Sequence, residues 1–390
     1  MFVMKAEFAD RVKRLPPYLF AEIERLIKEK KAQAVDLISL SIGDPDLPPP
    51  KFVVQAFKEE VADLKNHNYS FSQGEPFFRQ AVADWYKKRF RVDLEQEHVV
   101  ALLGSKEGLA NIGRAFVNRG DRVLIPDPGY PVYNNATTIL NDGVPVTMPL
   151  LEENDFKPDF ETLETCKVRM MFLNYPNNPT AATVDQAFLR EAVDFAVDNN
   201  IILCYDNAYS EISFDGYKPP SILEIDGAMD VAVEFHSCSK TFNMTGDRIA
   251  FAVGNKQLVA GLTKVKSQVD SGPPVYTQRV ASKALACYVS DEQPNFLRKQ
   301  NEVYRERRDA LVQRLCDIGF KCSKPKATFY IWVKCKCDSM DFATKLLNVG
   351  VSVTPGVGFG EHGEGYVRMT FTQPVGRIEE AVERIANVFK

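Results

Sequence analysis

Along the middle of the chain, short apolar or β-branched runs alternate with stretches of helical periodicity. The run Val99-Val100-Ala101-Leu102-Leu103 precedes a helical pattern over 106–116, and 121–125 leads into the turn residues Pro126-Asp127-Pro128-Gly129. Runs at 168–173, 201–205 and 231–235 repeat the pattern, separated by helical stretches such as 185–197. Alternation of this kind predicts an α/β fold, a largely parallel sheet with helices on both faces. The densest proline cluster, Gly43-Asp44-Pro45-Asp46-Leu47-Pro48-Pro49-Pro50, is incompatible with regular structure and reads as a join. After about residue 282 the pattern changes. A long charged amphipathic helix over 295–318 leads to strands at 329–333, 351–354 and 366–371 and a last helix over 377–388. The expected division is an N-terminal arm with part of a small domain (1–45), a large domain (46–281) and a C-terminal small α+β domain (282–390).

Composition narrows the class. With 390 residues, 45% apolar and 26% charged, the chain can bury a sizeable core, and its length suits more than one packed unit. A net charge of -4 with mixed signs gives no electrostatic reason to expect nucleic acid or a membrane surface as partner. No apolar run approaches the roughly 18 residues that span a bilayer. The N-terminus becomes charged at Lys5 and Glu7, too early for a signal-peptide core, so a cytoplasmic protein is expected. The eight cysteines lack CxxC spacing and read as free thiols; Cys335 and Cys337 are expected in a strand, pointing the same way. The four histidines, at 67, 98, 236 and 362, form no spaced metal set.

Several segments carry chemistry. Ser237-Cys238-Ser239-Lys240 follows an apolar strand, with Arg248 eight residues beyond the lysine. A lysine amine attacks an aldehyde only when its surroundings lower its pKa, and an arginine with serine hydroxyls suits a phosphate dianion. The same residues would also make a capped surface turn, or a Ser-x-x-Lys acyl enzyme, although the Ser-Asp-Asn and Lys-Thr-Gly partners of that chemistry are missing. Leu103-Gly104-Ser105-Lys106-Glu107-Gly108 joins a strand to a helix, where backbone N–H groups and the helix dipole attract an anion. Asp206 ends an apolar strand, where an α/β sheet presents groups to a ligand or where a helix is capped. Gly358-Phe359-Gly360-Glu361-His362-Gly363 spells GxGxxG, but a strand follows instead of a helix, so a dinucleotide site is not expected.

Taken together these segments resemble class I, fold-type I aminotransferases that use pyridoxal 5′-phosphate (PLP). Ser237–Arg248 is similar to the SxSKxxxxxGxR signature, and Asn174-Tyr175-Pro176-Asn177-Asn178-Pro179-Thr180 to the NPNNPTG loop, with Ala181 in place of its glycine. The resemblance covers essentially the whole chain. It implies a cofactor bound as a Schiff base to Lys240, with Asp206 facing the pyridine nitrogen. Asn178 and Tyr209 would meet the phenolic oxygen, and Tyr130 would stack on the ring. The phosphate would fall to Ser105, Lys106, Ser237, Ser239 and Arg248, and to Tyr69 of a neighbouring subunit. For the substrate it implies Arg368 and the Gly43 backbone at the α-carboxylate, with Asn178 near, and Tyr18 closing the site. Catalysis would rest on Lys240, Asp206 and Tyr209.

Wording around the motifs, as in Arg14-Leu15-Pro16-Pro17-Tyr18-Leu19-Phe20, resembles the group usually called LL-diaminopimelate aminotransferases. That implies amino transfer to a 2-oxo acid such as 2-oxoglutarate, with LL-2,6-diaminopimelate as candidate donor and a homodimer sharing its active sites. Two departures stand out. Ser271 replaces an asparagine of the group, and Asp247 replaces a tryptophan beside Arg248, where a carboxylate could draw on the arginine. A PLP-dependent C–S lyase on the same fold is the alternative. A non-catalytic regulator is not expected, since the 17 residues before Tyr18 leave no room for the usual DNA-binding extension.

Overall fold

The structure is a computed structural model that describes residues 6–389 apart from Tyr18. Its strands are β1 (Ile38–Ser39), β2 (Val99–Leu102), β3 (Arg122–Asp127), β4 (Val144–Pro149), β5 (Val168–Asn174), β6 (Ile202–Asp206), β7 (Ala232–Ser237), β8 (Ala250–Gly254), β9 (Tyr330–Lys334), β10 (Val351–Ser352), β11 (Thr354–Pro355) and β12 (Tyr366–Thr370). Seven of them form one sheet in the order β2-β8-β7-β6-β5-β3-β4. Every pairing in it is parallel except those of β8, which runs antiparallel to both β7 and β2. This is the α/β architecture expected, with a mostly parallel centre.

The strand pleat divides the core. Val99, Ala101, Met171, Leu173, Leu203 and Tyr205 pack into one apolar cluster. Their neighbours Val100, Leu102, Met170, Phe172, Ile202 and Cys204 pack into another on the opposite face. Period-two alternation of wholly apolar strands is what burial on both faces requires.

A separate cluster holds the C-terminal elements. β12 lies between β11 and β9 with antiparallel register, Arg368 opposite Trp332 on one side and Thr354 on the other. The helix Val375–Phe389 buries Ile378, Ala381, Val382, Ile385 and Ala386, one stripe at helical spacing. β1 joins this unit rather than the large sheet, pairing Ile38 with Val351 in parallel. Residues before the proline cluster thus pack with residues far along the chain.

One sequence expectation needs correction. β9 ends at Lys334, so Cys335 and Cys337 are not strand neighbours. The reason is local: Asp338 caps the helix Ser339–Asn348 by accepting from the Met340 and Asp341 N–H groups, which turns the chain just after Cys337. β4 and β8 lie outside the runs that the sequence pattern marks as strands.

Candidate active site

In an open α/β sheet, ligand groups gather beyond the carboxyl ends of the strands. Here β5 ends at Asn174, β6 at Asp206 and β7 at Ser237, and these three residues line a cavity of about 260 Å³. Ser105 and Lys106 reach it from the helix that follows β2, and Tyr130 from the turn after β3. Arg368 and Thr354 approach from the small sheet, and Ser41, Ile42 and Gly43 from the chain after β1. Ile23 and Ile27 add an apolar wall.

Asp206 is buried, and burial pushes its carboxyl up to about 6, against the Tyr133 hydrogen bond and the Ala208 N–H, which favour the charged form. Its Oδ2 accepts from the Tyr133 hydroxyl at 2.7 Å, whereas Oδ1 is buried without a hydrogen-bond partner among the described residues. An orphaned buried oxygen is costly, and a protonated ring nitrogen would complete it. Asn174 steadies the strand end by donating to the Asp206 carbonyl at 2.7 Å, while its side-chain oxygen accepts from the Asn178 N–H at 2.8 Å.

Lys240 is half-buried, and its Nζ donates to the Gly43 carbonyl at 2.9 Å. Burial lowers its amine to about 8; the Arg368 and Arg248 charges push the same way and Asp44 opposes them. Gly43 has to be glycine because a Cβ there would collide with the Tyr330 hydroxyl. That hydroxyl shares a 2.8 Å hydrogen bond with the Tyr209 hydroxyl. Arg368 donates from Nη1 to Asn178 Oδ1 at 2.6 Å and from Nη2 to the Ser41 carbonyl at 3.0 Å. Its guanidinium lies 4.3 Å from the Tyr330 ring centre and 4.9 Å from that of Phe359. The GxGxxG segment therefore forms a buttress for the arginine. It is tied down where Asp127 accepts from the Glu361 and His362 N–H groups.

The helix Ser105–Phe116 starts from Gly104, whose φ of 92° lies in the left-handed region and where a Cβ would strike the Arg248 guanidinium. Arg248 is thus pressed against the helix N-terminus without lining the cavity itself. It donates to the Leu103 carbonyl at 3.0 Å and the Thr245 carbonyl at 2.8 Å and forms no ion pair with Asp247, contrary to what that neighbour suggested. Ser239 is buried beside Lys240 but off the cavity wall. Ala181, where the resembling loop has glycine, sits at φ 59°, which explains why glycine suits that position. Tyr69 is 92% exposed and away from the cavity of its own chain. Tyr18 lies outside the described residues. The roles of Tyr133, Asn174 and Tyr330 are not apparent from the sequence and emerge only from their contacts in the fold.

An amine, an unmet carboxylate oxygen and a cationic helix start around one cavity suit PLP, with its aldehyde, ring nitrogen and phosphate. Comparison with known proteins agrees. The family model described as "Aminotransferase class I and II" matches residues 35–385, and the chain belongs to that family. It is a PLP-dependent aminotransferase, an enzyme acting between amino acids and 2-oxo acids.

Among curated relatives, the LL-diaminopimelate aminotransferase of Desulforudis audaxviator is 49% identical over 384 residues, spanning 97% of this chain and 96% of the relative. That of Aquifex aeolicus is 49% identical over 389 residues, covering 98% and 99%. Among solved structures, substrate-bound BacF from Bacillus subtilis superposes with a TM-score of 0.92 at 36% identity, covering 98% of both chains. Aspartate aminotransferase from Thermus thermophilus with maleate gives 0.91 at 27% identity, covering 98% of this chain and all of that one.

Proposed function

We propose that the cavity holds PLP on Lys240 and that the enzyme takes its amino group from LL-2,6-diaminopimelate and passes it to a 2-oxo acid such as 2-oxoglutarate. The observation that carries the cofactor placement is the unpartnered Oδ1 of Asp206, a residue at the end of β6 that lines the same cavity as Lys240. Bound PLP supplies an electron sink for the pair released at the substrate Cα. Asp206 holds charge at the ring nitrogen. Asn178 and Tyr209 orient the phenolic oxygen, and Tyr130 covers the ring face. Ser105, Lys106 and Ser237 on the cavity wall receive the phosphate at the helix N-terminus, backed by Arg248 against Gly104 and by Ser239 beside Lys240. Arg368, already aligned by Asn178 and Ser41, pairs with the substrate α-carboxylate as a planar fork, beside the Gly43 backbone. Lys240, with its lowered pKa, is neutral often enough near pH 8 to accept a proton and return it.

The choice of donor is supported by the two relatives at 49% identity named above. In the same reading residues 1–45 and 282–390 form the smaller domain and 46–281 the larger, in the cytoplasm. Among the described residues no helix is long and apolar enough to cross a membrane. The exposed Tyr69 serves the phosphate site of a partner subunit in a homodimer, with Tyr18 closing the site. A donor and acceptor screen on purified holoenzyme tests the assignment. Transfer from LL-diaminopimelate to 2-oxoglutarate, ahead of other donors, is expected. Pyruvate and ammonia formed from a sulfur amino acid without any oxo acid would identify a C–S lyase instead.

A further inference from the structure

Tyr133 sits directly behind the cavity, fully buried, with its hydroxyl on Asp206. We propose that Tyr133 is a positioning residue: it fixes Asp206 with Oδ1 toward the cavity and thereby keeps the shared proton on the cofactor's ring nitrogen. The proposal rests on the reading that PLP occupies this cavity.

Satisfaction of the two carboxylate oxygens is unequal. Oδ2 accepts from Tyr133 at 2.7 Å, and Oδ1 has no hydrogen-bond partner among the described residues. The Ala208 backbone N–H also favours the charged carboxylate, but among the described residues Tyr133 is the side chain that donates to it, so the tyrosine fixes which oxygen is left to pair with the ring. The phenol also has little freedom to move. Its ring stacks on Phe172 with centres 4.8 Å apart and planes 16° apart. It meets the cavity-lining Tyr130 edge-on at 5.9 Å and 87°. Phe172 belongs to β5, whose Asn174 is in register with Asp206 on β6, so ring and carboxylate are held by paired strands.

The backbone at Tyr133 is tied as well. Tyr133 opens a π-helical turn, Tyr133–Thr138, of the kind often found at functional sites. Thr138 Oγ1 donates to the Tyr133 carbonyl at 2.8 Å, and Thr137 Oγ1 donates to the Leu109 carbonyl at 2.6 Å. Leu109 lies in the helix that presents Ser105 and Lys106. One short segment thus links the carboxylate end of the cavity to its anion end.

The consequence follows from elementary acid–base chemistry. A donated hydrogen bond stabilises the charged form of a carboxylate and counters the cost of burial. A carboxylate that keeps its charge leaves the proton on the ring nitrogen, and a positively charged ring is the better electron sink. Without the phenol, Asp206 would gain proton affinity and lose its fixed orientation, and the proton would shift from nitrogen toward oxygen.

The test uses holoenzyme loaded with PLP carrying 15N in the ring, compared between wild type, Tyr133→Phe and a variant with 3-fluorotyrosine, a stronger donor, at position 133. The ring-nitrogen resonance is expected at the protonated position in wild type and in the fluorinated variant. In Tyr133→Phe it should move toward the unprotonated position. That variant should keep PLP reducible onto Lys240 and lose about ten- to a hundredfold in kcat, the scale of one hydrogen bond to a charged group, with little change in KM. An unchanged resonance in Tyr133→Phe, even with a lowered Tm, overturns the proposal, because packing alone would explain the residue. If Tyr133→Phe does not fold, the fluorinated protein decides, and a shift toward the unprotonated position there overturns it. A wild-type protein that takes up no label overturns the cofactor reading itself and this proposal with it.

Discussion

Two carboxylates are buried on adjacent strands of the large sheet, Asp206 closing β6 and Glu234 within β7, and they have opposite surroundings. Burial raises both, Asp206 to about 6 and Glu234 to about 7. Glu234 takes four hydrogen bonds, from Tyr86 at 2.9 Å, Asn207 at 2.9 Å, Ser221 at 2.6 Å and the Ile222 N–H at 2.9 Å. Both of its oxygens are met, and it does not line the cavity. Asp206 lines the cavity and has one oxygen met by a side chain and one left without a partner among the described residues. A raised acid alone does not mark a functional group; the unmet valence does. Glu234 is a structural acid, tying β7 to the helix Pro76–Phe90 and to the turn at Ser221, whereas Asp206 is arranged for a ligand.

The two predictions that separate them differ in what is lost. Asp206→Asn should lower kcat by about 10²–10³-fold, the scale of removing one preorganised electrostatic partner, while PLP binding and Tm change little. A near-wild-type kcat would make Asp206 structural and erase the contrast. Glu234→Gln should do the reverse. Its amide would set an N–H against a donor, costing about 2–3 kcal/mol of unfolding free energy in denaturant titration, and the folded fraction should keep a kcat close to wild type. A Glu234→Gln enzyme of full stability but little activity would place Glu234 in the chemistry.

The third test, smaller in effect, concerns the amine next to both. Lys240 with a pKa of about 8 must lose a proton before it can attack an aldehyde. Capture of PLP by the apoprotein, followed by absorbance, should therefore rise about tenfold per pH unit below 8 and level off above it. A rate still climbing toward pH 10 would mean that burial does not depress this amine.

Legibility from sequence followed residue type and distance. Strands β2, β5 and β6 are readable because unbroken apolar runs, Val-Val-Ala-Leu, Met-Met-Phe-Leu and Ile-Leu-Cys-Tyr, are bounded by turns. β8 reads Ala-Phe-Ala-Val-Gly, and alanine and glycine are poor strand signals. β4 contains Pro145 and Pro149, which only an edge strand tolerates, and it is an edge. Lys240, Asn178 and Asp206 were accessible because each sits in a compact segment at a strand end. Tyr133 and Tyr330 acquire their roles from partners 73 and 121 residues away, which no local pattern reports. The fate of Arg248 beside Asp247 was equally hidden, because it depends on the Leu103 carbonyl across the fold.

The central claim is that PLP is held covalently by Lys240 in this cavity, and borohydride reduction of the purified holoenzyme followed by peptide mass spectrometry tests it most directly. The yellow absorption band should disappear, and a single pyridoxyl group should map to Lys240. Label on any other lysine, or no label on a protein saturated with PLP, would contradict the account.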